Sequence, residues 1–112
     1  MTMREREMET AKRFNILDKV EKLEKELIAV DMADMVDFDL NGFYDDMKQV
    51  IVLVGYKFPY RAENWFDMRR KFISDVLHVA KNNGLTRTED RIEDYGKCFY
   101  FVFNHDDTWK RV

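Results

Sequence analysis

The sequence predicts an α+β fold, a mostly antiparallel sheet of three to four strands with two helices in the order α-β-β-α-β-β. Three observations carry that expectation. Residues 4–32 contain no Gly or Pro and space Ile16, Val20, Leu23, Leu27 and Val30 by four, three, four and three, one apolar stripe on a helix. Residues 49–58 (QVIVLVGYKF) are β-branched and apolar on both faces, the pattern of a central strand. In residues 97–104, Phe99, Phe101 and Phe103 alternate with Cys98, Tyr100 and Val102, so a second strand is also apolar on both sides.

The elements follow in chain order. The first helix is expected over about 4–32. Acids stand four residues before bases at Glu9/Arg13, Asp18/Lys22 and Glu21/Lys25, which suits a solvated outer face. The heptad spacing lasts about two repeats, too short for a coiled coil, so this helix is expected to dock on its own domain. Val36, Phe38 and Leu40 alternate with Asp37, Asp39 and Asn41 as in a half-buried strand, and Asn41-Gly42 reads as a turn. Pro59 closes the central strand. A second helix is expected over about 61–83, with Gly84 as its left-handed stop. The rest reads as a hairpin: a polar arm over about 85–93 fit for an exposed edge, a turn at Tyr95-Gly96, and the aromatic arm 97–104. Two strands apolar on both faces need cover on both faces. Either one helix lies on each face, or a second chain covers one of them.

With 112 residues, 46% of them hydrophobic, the chain fits one α+β domain over 1–112: the N-terminal helix, a strand-helix-hairpin core over about 35–104, and a short tail over 105–112. No apolar run approaches the roughly 18 residues of a membrane span, and the first nine residues alternate Arg and Glu in place of a leader's apolar core. The lone cysteine, Cys98, closes no intrachain disulfide. A soluble, cytoplasmic protein is expected. The formal charge of −3 argues against an indiscriminate grip on phosphate backbones, so direct nucleic-acid binding is not expected.

Residues 31–46 carry six aspartates (Asp31, Asp34, Asp37, Asp39, Asp45 and Asp46) and no Lys or Arg. Charge of this kind can simply guard an edge strand, or it can dock on a basic partner. Asp37-Phe38-Asp39-Leu40-Asn41-Gly42 also matches the first half of a calcium loop, with Asp45 at the ninth position. The twelfth position is Lys48 where a bidentate Glu belongs, so no metal site is expected there. Asp39, Asp46 and Lys48 loosely resemble an acid-acid-lysine arrangement for magnesium-dependent phosphodiester cleavage. On the wheel of the second helix Ala62, Trp65, Phe66, Phe72, Ile73, Val76, Leu77 and Ala80 share a side, with Arg69 among them. That guanidinium must snorkel, pair with an acid, or contact a partner. His78 and His105 lack partners at metal-ligand spacing, and Cys98 has no base beside it in sequence.

These readings favour a small non-enzymatic protein-binding or regulatory protein that needs no cofactor. Its partner-binding residues are expected among Asp31, Asp34, Asp37, Asp39, Asp45, Asp46 and Arg69, facing a protein with a basic surface. An acidic inhibitor of a nucleic-acid-handling enzyme, of the kind mobile elements carry, has this size and charge. The alternatives are a small metal-dependent hydrolase or nuclease and a structural homodimer.

Overall fold

A computed structural model describes residues 3–40, 49–57, 63–94, 98–106 and 109. The chain is α+β, with helices α1 (Met3–Arg13), α2 (Leu17–Ile28) and α3 (Trp65–Asn82) and strands β1 (Ala33–Asp39), β2 (Gln49–Tyr56), β3 (Leu85–Asp94) and β4 (Cys98–His105). The four strands form one antiparallel sheet in the order β1-β2-β4-β3. The strongest apolar strands, β2 and β4, are therefore central, and the polar arm β3 is an edge.

The N-terminal helix is two helices, so the described residues hold three helices where two were expected, in the order α-α-β-β-α-β-β. Its break at Asn15 is a helix stop built from the backbone. Asn15 takes φ 59°, its N–H donates to the Lys12 carbonyl (3.1 Å), and the Ile16 N–H reaches back five residues to Ala11 (2.9 Å). That pair of bonds is a Schellman closure, and the apolar contact that accompanies it joins Ile16 to Ala11, both buried. Asparagine tolerates the left-handed region better than other non-glycine residues, so it can end a helix without Gly or Pro. Beyond the break the stripe behaves as expected: Ile16, Val20, Leu23 and Leu27 are buried and Val30 packs against them. Gly84 ends α3 at φ 76°, with its N–H on the Lys81 carbonyl (3.2 Å).

The register aligns the core in rows across the sheet. Phe38 lies opposite Val52, which lies opposite Phe101; Val36 lies opposite Val54, which lies opposite Phe99; Val50 lies opposite Phe103. All of these side chains are buried. Because side chains alternate between faces, this one parity defines the inner face of the sheet. Its aromatic rings form a continuous ladder, with Phe101 stacked on Phe103 at 5.7 Å and Tyr56 on Phe99 at 4.7 Å. Phe72 of α3 meets Tyr56 and Phe99 edge-on or tilted at 6.1 and 5.8 Å, geometries that add roughly 0.5–1.5 kcal/mol each beyond area burial.

Helices α2 and α3 touch each other and lie together on this inner face, while α1 packs on α2 and β1. One helix per face is thus not the arrangement. On α3 the buried stripe is Phe72, Val76 and Ala80, and Phe66, placed by its wheel position among the apolar residues, is 75% exposed. It sits in the first turn, where its ring meets Trp65 edge-on at 4.9 Å. The C-terminal tail contributes to the core as well. Trp109 is 1% exposed, and its indole N–H donates to the Asn83 carbonyl at the end of α3.

Candidate functional site

With two helices on one side, the opposite parity of the central strands forms a second sheet face, open in the sense that α2 and α3 lie on the other side of the sheet. On it the register places Ile51 of β2 beside Val102 of β4, and Leu53 beside Tyr100. All four are half-buried, whereas their sequence neighbours Val50, Val52, Val54, Phe99, Phe101 and Phe103 are fully buried. Gly55 and Cys98 continue the same parity toward one end, and Met35 of β1, opposite Gly55, is 41% exposed. A sheet that faces water on one side ordinarily alternates apolar-in with polar-out. Here the outer row of both central strands is apolar.

Strand β1 borders this row with acids. Asp37 is opposite Leu53 and Asp39 opposite Ile51, both half-buried. The pairing slips between Ala33 and Met35, so Asp34 stands in a bulge and is exposed. A bulge and an outward acid are two ways in which edge strands avoid further pairing. Asp37 and Asp39 thus occupy regular strand positions at the start of the segment that matched a calcium loop. The remainder of that match, Asn41, Gly42, Asp45 and Lys48, lies outside the described residues, as do Asp46 and the Asn41-Gly42, Pro59 and Tyr95-Gly96 turn signals. Among the described residues, no three His, Cys, Asp or Glu side chains are grouped to hold a metal ion.

Near the end of β1, Glu7 of α1 crosses to the strand and accepts a hydrogen bond from the Leu40 backbone N–H at 2.7 Å. Glu7 is 7% exposed and Leu40 fully buried. Burial pushes the Glu7 carboxyl above its ordinary value, and Asp39 and Asp37 add to the rise, while the Leu40 N–H and Arg6 oppose it. The acids that border the open face therefore share their field with a carboxylate that ties α1 to β1.

The other expected contact residues separate. Arg69 of α3 holds its guanidinium carbon 5.2 Å from the centroid of Phe99, a cation–π contact on the inner face. The sheet lies between it and the outward row that Asp37 and Asp39 border. Asp31 is exposed in the turn before β1, beside Met32, Met68, Lys71 and Phe72. Lys71 pairs with Asp75 at 2.9 Å, and that bond, with the nearby Asp31 charge, raises its pKa. His78 is exposed and within 3.3 Å of the Asn82 amide, His105 is near the Asp106 carbonyl, and the Cys98 thiol lies 3.8 Å from the Phe99 carbonyl.

Sequence reading reached the acids of β1 and missed the apolar row that they border. The signal was present in the two-sided strands, but parity alone cannot say which face the helices choose. No protein-family model, curated protein or solved structure matches the chain, so the reading of this face rests on its own geometry.

Proposed function

We propose that the chain is a non-enzymatic protein-binding protein that docks through the open face of its sheet. The observation that carries the reading is the outward row of Ile51, Leu53, Tyr100 and Val102, bordered by Asp37 and Asp39. An apolar centre with a charged border is the anatomy of a protein interface. The border selects a partner with basic residues around an apolar patch, because matched potentials speed encounter and exclude wrong partners. Basic surfaces of that kind line the grooves of enzymes that handle nucleic acids, and carboxylates on a rigid strand can occupy positions that phosphates otherwise take. This supports regulation by occupation, with the chain acting as an inhibitor of such an enzyme.

The test is capture from the native host's extract by the tagged full chain, followed by reconstitution with the captured protein once it is identified. Leu53→Ser and the pair Asp37→Asn, Asp39→Asn should each weaken the reconstituted complex at least tenfold. The acid variant should also flatten its salt dependence. Unfolding curves must stay close to wild type for the result to count. Unchanged affinity in both variants refutes docking through this face. Light scattering over a dilution series separates the homodimer, whose mass would depend on protomer concentration. A rise in melting temperature with millimolar magnesium or manganese would instead favour the metal-dependent hydrolase.

A further inference from the structure

On the helical side of the sheet, away from the open face, a pocket of about 330 Å³ opens between α2, the end of α3 and the end of β4. Its walls bring together Lys19 and Lys22 of α2 and Lys81 of α3, with Asn82, Asp106 and the buried Trp109. We propose that this pocket binds a small phosphoryl-bearing anion, a phosphate ester or a short polyphosphate.

Charge is the first support. Three lysines against one aspartate leave the described lining at +2, in a chain whose formal net charge is −3. None of the three lysines is ion-paired to a described residue, although Asp18 stands one turn before Lys22 in α2. Helix stability does not account for all of them. Lys81 complements the C-terminal end of α3, but Lys19 lies in the first turn of α2, where the helix dipole favours acids over cations. A cation kept against that preference, and turned to a pocket holding two more, is accounted for by an anionic occupant.

The backbone supplies the second support. The C-terminal end of a helix exposes carbonyls that repel anions, yet those of Val79, Ala80, Lys81, Asn83 and Gly84 are already engaged. The Asn83 N–H donates to the carbonyls of Ala80 and Lys81, the Gly84 N–H donates to Lys81, and the Asn83 side-chain amide donates to Val79 (2.8 Å). The Trp109 indole occupies the Asn83 carbonyl, and the Asp106 N–H occupies that of Gly84 (2.8 Å). With these oxygens satisfied, the lysines set the field of the pocket.

The third support is chemical form. The cationic walls are lysines, point charges with rotatable donors, with no arginine fork among the described residues. An arginine fork suits carboxylate and phosphate alike, whereas three separate ammonium charges favour a multiply charged phosphoryl group over a singly charged carboxylate. The volume lies at the lower end of small-molecule pockets, larger than one phosphate needs and too small for a folded partner.

The test is thermal unfolding of the full chain with pyrophosphate as probe, against sodium chloride and acetate at matched ionic strength. Pyrophosphate should raise the melting temperature with the logarithm of its concentration once that exceeds the dissociation constant, by about 5 °C at ten times that constant. Inorganic phosphate should act in the same way with lower affinity, which distinguishes a free-phosphate site from one needing two linked groups. The double variant Lys22→Gln, Lys81→Gln should bind at least tenfold more weakly, with its unliganded melting temperature lowered by no more than the few degrees that the lost helix-end charge of Lys81 costs. Lys25→Gln, an exposed lysine of α2 outside the pocket, should leave the response intact. No rise, an equal rise with chloride or acetate, or an undiminished rise in the double variant would overturn the proposal.

Discussion

Glu7 couples two elements through a single hydrogen bond, which makes it the sharpest test of the fold at the border of the open face. Replacing Glu7 with Ala removes the acceptor of the Leu40 N–H, and Leu40 is fully buried, so no water replaces it. A buried donor left without an acceptor costs about 1–3 kcal/mol. In a domain of this size that corresponds to a fall in melting temperature of roughly 4–12 °C. Glu7→Gln behaves differently, because its side-chain oxygen still accepts from Leu40 while the buried charge is gone. It should match or exceed wild type at neutral pH. The pH dependence has a defined sign. The folded-state pKa of Glu7 is raised above the ordinary 4.5, by burial first and by Asp39 and Asp37 next, against the Leu40 bond and Arg6. A carboxyl raised on folding contributes stability that is full below about 4.5 and is lost as pH rises through its folded value. Wild type should therefore lose ground to Glu7→Gln between pH 4.5 and neutrality. Urea unfolding of wild type, Ala and Gln variants at several pH values measures all three claims. The reasoning fails if Ala is as stable as wild type, or if the advantage of Gln grows as the pH falls.

Substitutions at three further positions probe the core and the helix stop. Asn15→Gly should hold or raise the melting temperature, and Asn15→Ala should cost about 1 kcal/mol, because only the alanine strains at φ 59°; equal stability of the two would mean the break does not need that conformation. Phe101→Ala, at the centre of the aromatic ladder, should cost about 3–5 kcal/mol in urea unfolding, and a loss below 1 kcal/mol would contradict its burial. Trp109→Phe should lose the hydrogen bond to Asn83 and lower stability by about 1–2 kcal/mol. Trp109→Ala should be worse than either, and calorimetry showing both variants unchanged would place the tail outside the core.

The sequence carried much of the fold because two periodicities dominate it. The three-to-four spacing from Ile16 to Val30 marked the buried stripe of a helix, and the apolar alternation around Phe99, Phe101 and Phe103 marked a central strand. What it concealed was local or long-range. The stop at Asn15 lay inside a segment free of Gly and Pro, and the left-handed turn there needs only an asparagine and an apolar residue after it. Trp109 stood in a short polar stretch without period, so nothing nearby indicated that it would close the core against Asn83, 26 residues earlier. Glu7 was indistinguishable from its charged neighbours until the chain brought it 33 residues forward to Leu40. The lysine pocket combines α2 with the end of α3, a juxtaposition that no local pattern encodes. Arg69 illustrates the opposite case: its odd position on the helix wheel was legible, and its partner, the Phe99 ring, was not.

The asymmetry of the open face supports one way of using it. Alternation of apolar and polar residues holds on β1, where Asp37 and Asp39 face outward, and fails on β2 and β4, where Ile51, Leu53, Tyr100 and Val102 do. If the outward apolar residues served only strand propensity, threonine would supply the β-branching of Ile51 and Val102 with less hydrocarbon on this face. They occur instead on the two strands paired along both edges, whose backbones are the most constrained in the sheet. A docking surface placed there gives up little conformational entropy on binding, so more of its apolar burial reaches the affinity. The acids stand one strand away, on an edge where a charge can meet a basic partner without being driven into the apolar centre. On the proposed docking role, that division, rigid apolar centre and charged edge, would give affinity to Leu53 and its neighbours and partner selection to Asp37 and Asp39. It is why Leu53→Ser is expected to quicken dissociation, while the paired Asp→Asn change should act chiefly on the association rate and its dependence on salt.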